Sequence, residues 1–80
     1  MHMYYAYILR LSSDQFYTGH AQDLKKRLAE HKRGGVDATK NRRPFKLIFY
    51  ASFESLDKAR SFEKYLKSSS GKAFRNKRLV

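Results

Sequence analysis

The chain has no cysteine and no tryptophan, and it carries one proline and four glycines. Without cysteine there are no disulfide staples, no thiolate zinc sites and no cysteine nucleophile. That fits a reducing compartment, and a cytoplasmic location is the expectation. No apolar run approaches the roughly 18 residues of a membrane-spanning helix, and the opening Met1-His2-Met3-Tyr4-Tyr5 lacks the basic-then-apolar order of a secretory signal. Acidic residues are scarce as well: 7 stand against 18 lysines and arginines, for a net charge of +11. A basic excess on so short a chain points to a polyanionic partner, nucleic acid first and an acidic membrane surface or protein second. A ribosome-like structural binder or plain solubility is the alternative. Eighty residues, 41% of them apolar, are enough for one modest core, so one domain over 1–80 is expected.

The aromatic and β-branched run at 3–10 predicts a strand. Ser12-Ser13-Asp14 is a turn signal, and 15–19 predicts the second arm of a hairpin, ended by Gly19. Residues 22–33 predict a helix with Asp23 in its first turn and Gly34-Gly35 as its stop. From 36 to 44 the chain is polar and basic and reads as a mobile loop. The most apolar run, 46–53, predicts a third strand at the centre of the sheet. Ser55 caps a helix over 56–68, with Leu56, Ala59, Phe62 and Leu66 at core spacing. The segment from Ser68 to Gly71 breaks it, leaving room for a short third helix over 72–79. The fold class is therefore α+β, a small three-stranded antiparallel sheet flanked by helices in the order ββαβα.

Three features depart from plain amphipathic patterning. On the first helix the i, i+3, i+4, i+7 stripe is Leu24, Arg27, Leu28 and His31, so two inward places hold an arginine and a histidine. Arg27 either meets an anion or acceptor there, or edges the stripe and snorkels to water. On the next helix Glu63 borders the apolar face. It suits a hard cation such as Mg²⁺, or it pairs with Lys67 four residues on. The hairpin carries Tyr4, Tyr5, Tyr7 and Tyr17, and alternation puts Tyr5 and Tyr7 on one face. Such tyrosines pack a small sheet, stack on a base, or, if their hydroxyls converge on Arg27, His31 or Glu63, do chemistry. The three histidines show no metal-ligand spacing.

In order along the chain, Tyr5-Ala6-Tyr7, Tyr17-Thr18-Gly19, Asp23-Leu24-x-x-Arg27-Leu28, His31 and Glu63 resemble the motifs of the GIY-YIG nuclease superfamily. They look most like its small single-domain bacterial members, the UPF0213 group. Tyr5-Ala6-Tyr7 stands in the place of Gly-Ile-Tyr and Tyr17-Thr18-Gly19 in the place of Tyr-Ile-Gly. Tyr5 replaces the glycine and Thr18 the isoleucine. The resemblance implies a metal-dependent endonuclease hydrolysing DNA phosphodiesters with one divalent metal, Mg²⁺ or Mn²⁺. Glu63 would hold the metal and Arg27 would contact the scissile phosphate. Tyr7 would be the general base for water, Tyr17 would share its hydrogen-bond network, and His31 would contact a catalytic tyrosine. Gly19 would let backbone approach closely and His20 would contact a phosphate. Asn76 approximately matches a late asparagine. Tyr7, Tyr17, Arg27, His31 and Glu63 are expected to line one concave site.

Lys40, Arg42, Arg43 and Lys46 are expected to bind nucleic acid through phosphates, with salt-sensitive affinity, and so are the basic residues of 64–80. The DNA partner would be branched, nicked or non-specific. The alternative is a basic nucleic-acid-binding module of the same fold without catalysis; a third reading is a partner that delivers the domain to repair machinery.

Overall fold

The computed structural model describes residues 2–80. The elements are β1 (Tyr4–Arg10), β2 (Phe16–Ala21), α1 (Leu24–Lys32), β3 (Lys46–Phe53), α2 (Leu56–Lys67) and α3 (Ser69–Arg78). The strands form one antiparallel sheet in the order β2-β1-β3, giving an α+β fold of order ββαβαα. β1, not the more apolar β3, is the central strand. Hydropathy summed along a run does not decide this; burial on both faces does. Residues 6–9 of β1 have no exposed surface at all. No residue of β3 is fully buried, and Leu47 and Tyr50 are exposed. Register slips once in β3, where Ile8 faces Phe49 but Leu9 faces Leu47. A bulge of this kind bends an edge strand and discourages further pairing.

The register sorts side chains to two faces. Tyr7 lies opposite Gly19 and Tyr50, and Ala6 opposite His20 and Ala51. On the Tyr7 face, Tyr7, Leu9, Leu11 and Ala21 pack with Tyr17, Leu24 and Leu28 and with Phe45. On the other face Phe49 and Phe53 meet Phe62 of α2, above the buried Ala59 and Leu66. α1 and α2 therefore cover opposite faces.

Local chemistry sets the boundaries. The hairpin turn puts Asp14 at φ 63, a left-handed conformation that aspartate tolerates. β2 does not end at Gly19 but runs on to Ala21. Asp23 is the N-cap of α1 rather than part of its first turn, its carboxylate accepting from Lys26 N at 3.0 Å. The segment after α1, expected to be a mobile loop, is folded. Val36 and Thr39 are buried, and the Val36 carbonyl accepts from the amides of Thr39 and Lys40 at 3.1 and 2.9 Å. Ser12 N donates to Arg42 O at 2.9 Å, tying the segment to the hairpin. A single residue, Ser68, separates α2 from α3. Its hydroxyl donates to Tyr65 O at 2.6 Å and accepts from Gly71 N at 3.1 Å, ending one helix while starting the next. The third helix accordingly begins at Ser69, earlier than the serine-rich stretch indicates, because Ser69–Gly71 form its first turn.

Gly71 is where α3 touches α2 most closely: a Cβ there would lie 1.7 Å from the Tyr65 carbonyl oxygen. Gly71→Ala should force the two helices apart and cost about 3 kcal/mol, the upper range for overpacking. Urea denaturation of both proteins measures it, with the loss seen as a lower midpoint at unchanged slope.

Candidate active site

Tyr7 and Gly19 face each other across β1 and β2, and the Tyr7 phenol lies over the bare glycine. A Cβ at position 19 would sit 2.7 Å from the Tyr7 hydroxyl oxygen and 3.0 Å from the Tyr17 ring. The glycine inside a strand is thus the seat of a tyrosine side chain. Beyond it, the Tyr7 hydroxyl is 2.7 Å from Nε2 of His31, and Nδ1 of His31 is 2.7 Å from Oγ1 of Thr39. Tyr7, His31 and Thr39 have no exposed surface. Tyr7, Tyr17 and Phe45 surround the imidazole edge-on, with ring centres 5.7, 5.1 and 5.9 Å away.

Arg27 lies one turn before His31, as the helical stripe requires. Its side chain is one-third exposed, with Nη1 3.8 Å from Glu30 Oε1. It therefore edges the stripe, partly exposed, with Glu30 of the same helix as its ion-pair partner. Burial disfavours its charge, but the Tyr7 and Tyr17 phenols outweigh that and raise its pKa. Burial pushes the Tyr7 phenol up to about 12 against the opposing pull of Arg27. Burial, reinforced by the Arg27 charge, lowers His31 below its ordinary 6.5, so the imidazole is neutral near pH 7.

Glu63 stands on the other side of β2. Its Oε1 is bonded to His20 Nδ1, and its Oε2 accepts from Lys67 Nζ at 2.6 Å. The Glu63 side chain is only 14% exposed. Burial raises its pKa, yet Lys67 and His20 together bring it below 4.5. The five residues do not line a single concavity. Tyr7, Tyr17, Arg27 and His31 gather under α1, and Glu63 under α2. Two grooves meet at the free edge of β2. One is lined by His20, Arg27 and Glu30, the other by His20, Arg60, Glu63 and Lys67. Gly19 leaves this edge thin, and the Glu63 charge is felt at Tyr7.

Other expected residues fall elsewhere. His20 is bonded to Glu63. Arg43 donates Nη1 to Lys32 O at 3.0 Å and Nε to Lys40 O at 2.9 Å, closing the end of α1. Lys40 is 3.4 Å from Asp37, and Arg42 is exposed. Lys46 is exposed opposite Arg10, whereas His20 lies opposite Ala6 towards the other end of β1. Asn76 accepts from Arg75 Nε at 3.1 Å, and Arg75 itself lies 4.7 Å over the Phe16 ring. Sequence reasoning missed Thr39, since nothing in a polar stretch marks one hydroxyl as buried. Among the described residues no group of three or more His, Cys, Asp or Glu could hold a metal.

A family model described as the GIY-YIG catalytic domain matches residues 3–78. A UPF0213 protein of Clostridium perfringens is 38% identical over 78 residues, covering 96% of this chain and 80% of that one. A UPF0213 protein of Streptococcus pyogenes serotype M5 is 42% identical over 64 residues, 79% of this chain and 70% of that one. The solution NMR structure of a UPF0213 protein from Bacillus halodurans superimposes with a TM-score of 0.59 at 31% identity, covering 94% of this chain and 83% of that one.

The two depressed pKa values give acid sensitivity a defined order. As pH falls below 6.5 the unfolded chain takes up a proton at residue 31 that the folded chain refuses, so stability drops until the folded pKa is passed. Glu63 adds a second loss below 4.5, as protonation undoes its pairing. Urea midpoints measured from pH 8 to pH 3 should show both falls. His31→Gln should remove the upper one and Glu63→Gln the lower.

Proposed function

The chain belongs to the GIY-YIG catalytic domain family, and we propose that it is a metal-dependent endonuclease that hydrolyses DNA phosphodiesters at the free edge of β2. The observation that carries this reading is the buried Tyr7–His31 hydrogen bond, with Arg27 one helical turn before His31 on α1.

A phenol held near 12 is not ionised at pH 7, so Tyr7 acts as a relay rather than as a standing base. The attacking water gives a proton to the Tyr7 oxygen while Tyr7 gives its own proton to His31 Nε2. Hydroxide attacks phosphorus, the leaving oxygen departs, and Tyr7 ends neutral as it began. His31 receives the proton, which its neutral state allows. Arg27 takes the phosphoryl oxygens, where negative charge grows in the transition state. Tyr7 has no exposed surface, so water reaches it only after the side chains over it rearrange.

Glu63 fits the metal in kind. One carboxylate suits Mg²⁺ or Mn²⁺, which keep several waters and take phosphate oxygens as further ligands. Both carboxylate oxygens are engaged by His20 and Lys67, so these two must yield to it. Bound there, the ion supplies charge stabilisation at the phosphate. The net +11 supplies sequence-independent attraction to DNA. The engaged Glu63 and the covered Tyr7 favour, as a second reading, a basic nucleic-acid-binding module without catalysis.

Plasmid cleavage with Mg²⁺, Mn²⁺ or EDTA separates the two. A nuclease loses cleavage in Glu63→Gln while remaining folded and keeping DNA affinity. Arg27→Ala should lose about a hundredfold or more in rate, on the order of 3 kcal/mol for one transition-state contact. A binding module shows no metal-dependent cleavage in any form. Activity that survives Glu63→Gln sinks the assignment of Glu63.

A further inference from the structure

We propose that Thr39 is a positioning residue for the Tyr7–His31 pair: its hydroxyl holds His31 as the Nδ1–H tautomer, leaving Nε2 bare to accept the Tyr7 proton. The proposal rests on the nuclease reading for its consequence in catalysis, but the tautomer itself is a property of the folded chain.

The assignment follows from a count of donors and acceptors in a place that water does not reach. Tyr7, His31 and Thr39 have no exposed surface, and no buried side-chain polar atom among the described residues lacks a partner. Each therefore has to place its hydrogens on an acceptor. The Tyr7 hydroxyl has His31 Nε2 as its hydrogen-bond partner, and the phenol carries one hydrogen to place. If His31 carried its proton on Nε2, the Tyr7 oxygen would receive that hydrogen. The phenol's own hydrogen would then have no acceptor.

With the proton on Nδ1 every group is served. Tyr7 O–H donates to Nε2 at 2.7 Å, Nδ1–H donates to Thr39 Oγ1 at 2.7 Å, and the Thr39 hydroxyl donates to Val36 O at 3.5 Å. The chain of donors runs one way, from Tyr7 to a backbone carbonyl.

Backbone fixes the far end. Val36 O already accepts from the amides of Thr39 and Lys40, and the next turn is tied by Arg42 N to Thr39 O at 2.9 Å. Arg43, clamped on Lys32 O and Lys40 O, closes the segment onto α1. The charged and titratable groups around the imidazole are Tyr7 and Tyr17 from the hairpin and Arg27 and Glu30 from α1. None of them is hydrogen-bonded to Nδ1, so Thr39 is the group that receives the Nδ1 proton, while the Tyr7 hydroxyl occupies Nε2. During the relay His31 gains the Tyr7 proton on Nε2 and keeps its own on Nδ1. The same Thr39 oxygen then accepts from the imidazolium.

The experiment is nitrogen-resolved NMR of the His31 ring in the full chain, for wild type, Thr39→Ser and Thr39→Val, with plasmid cleavage alongside. Wild type and Thr39→Ser should show protonated Nδ1 and bare Nε2. Thr39→Val, which keeps the shape and removes the hydroxyl, should shift His31 towards the Nε2–H form. It should lower kcat by about 10–100-fold, as loss of an orienting partner does elsewhere, with KM unchanged, and Thr39→Ser should restore the rate. Wild type with protonated Nε2 overturns the proposal, and that reading needs no variant to fold. So does a folded Thr39→Val protein that keeps the Nδ1–H form. The expected tautomers together with no cleavage in any form uphold the role of Thr39 in the fold and overturn the nuclease reading.

Discussion

A phenol and an imidazole can be buried together only if each of their polar atoms has a partner, and much of this fold follows from meeting that condition for Tyr7 and His31. The hydroxyl of Tyr7 reaches Nε2 because position 19 has no side chain. Nδ1 is met by Thr39 because the segment after α1 folds inward instead of trailing in solvent. Tyr17 and Phe45 close the ring of aromatic edges that keeps water out. An unpaired group here would cost about 1–3 kcal/mol, a large share of what a small domain has to spare. The central strand, the inward turn and the helical stripe are thus bound to one another through a single hydrogen-bonded chain.

The same burial sets the electrostatics. Low polarity around Tyr7 and His31 keeps both neutral, while Arg27 stays charged at the border because two phenols and Glu30 surround it. Across β2 the arrangement has the opposite sign: Glu63 keeps its charge, held between His20 and Lys67. A cation and an anion are thereby carried by helices on opposite faces and brought near one another only at the sheet's free edge. β3, the other edge strand, blunts its edge with a bulge.

Much of this was legible in the sequence. The strands at 3–10 and 46–53, the helix over 56–68 and its cap Ser55 follow from short-range rules. So does the i, i+4 pairing of Glu63 with Lys67. Arg27 and His31 were conspicuous because a helical stripe has a fixed period, and polar residues on it stand out. The motif resemblance implied a close backbone approach at Gly19, whereas the group that approaches it is the Tyr7 phenol.

The rest depended on contacts between distant parts of the chain. β1 is central because residues 6–9 are buried from both sides, and only the path of the chain through α1 decides which strand gains a second neighbour. Arg43 reads like the other basic residues of its segment, yet it is spent on two backbone carbonyls of the α1 end. Thr39 is one hydroxyl in a polar stretch, and its burial depends on Val36 turning inward and Arg42 bonding to the hairpin. Residue types and periods determined which side chains carry the chemistry. Tertiary structure decided which of them touch, because a hydrogen bond depends on a few tenths of an ångström between atoms that the sequence places 24 and 8 residues apart.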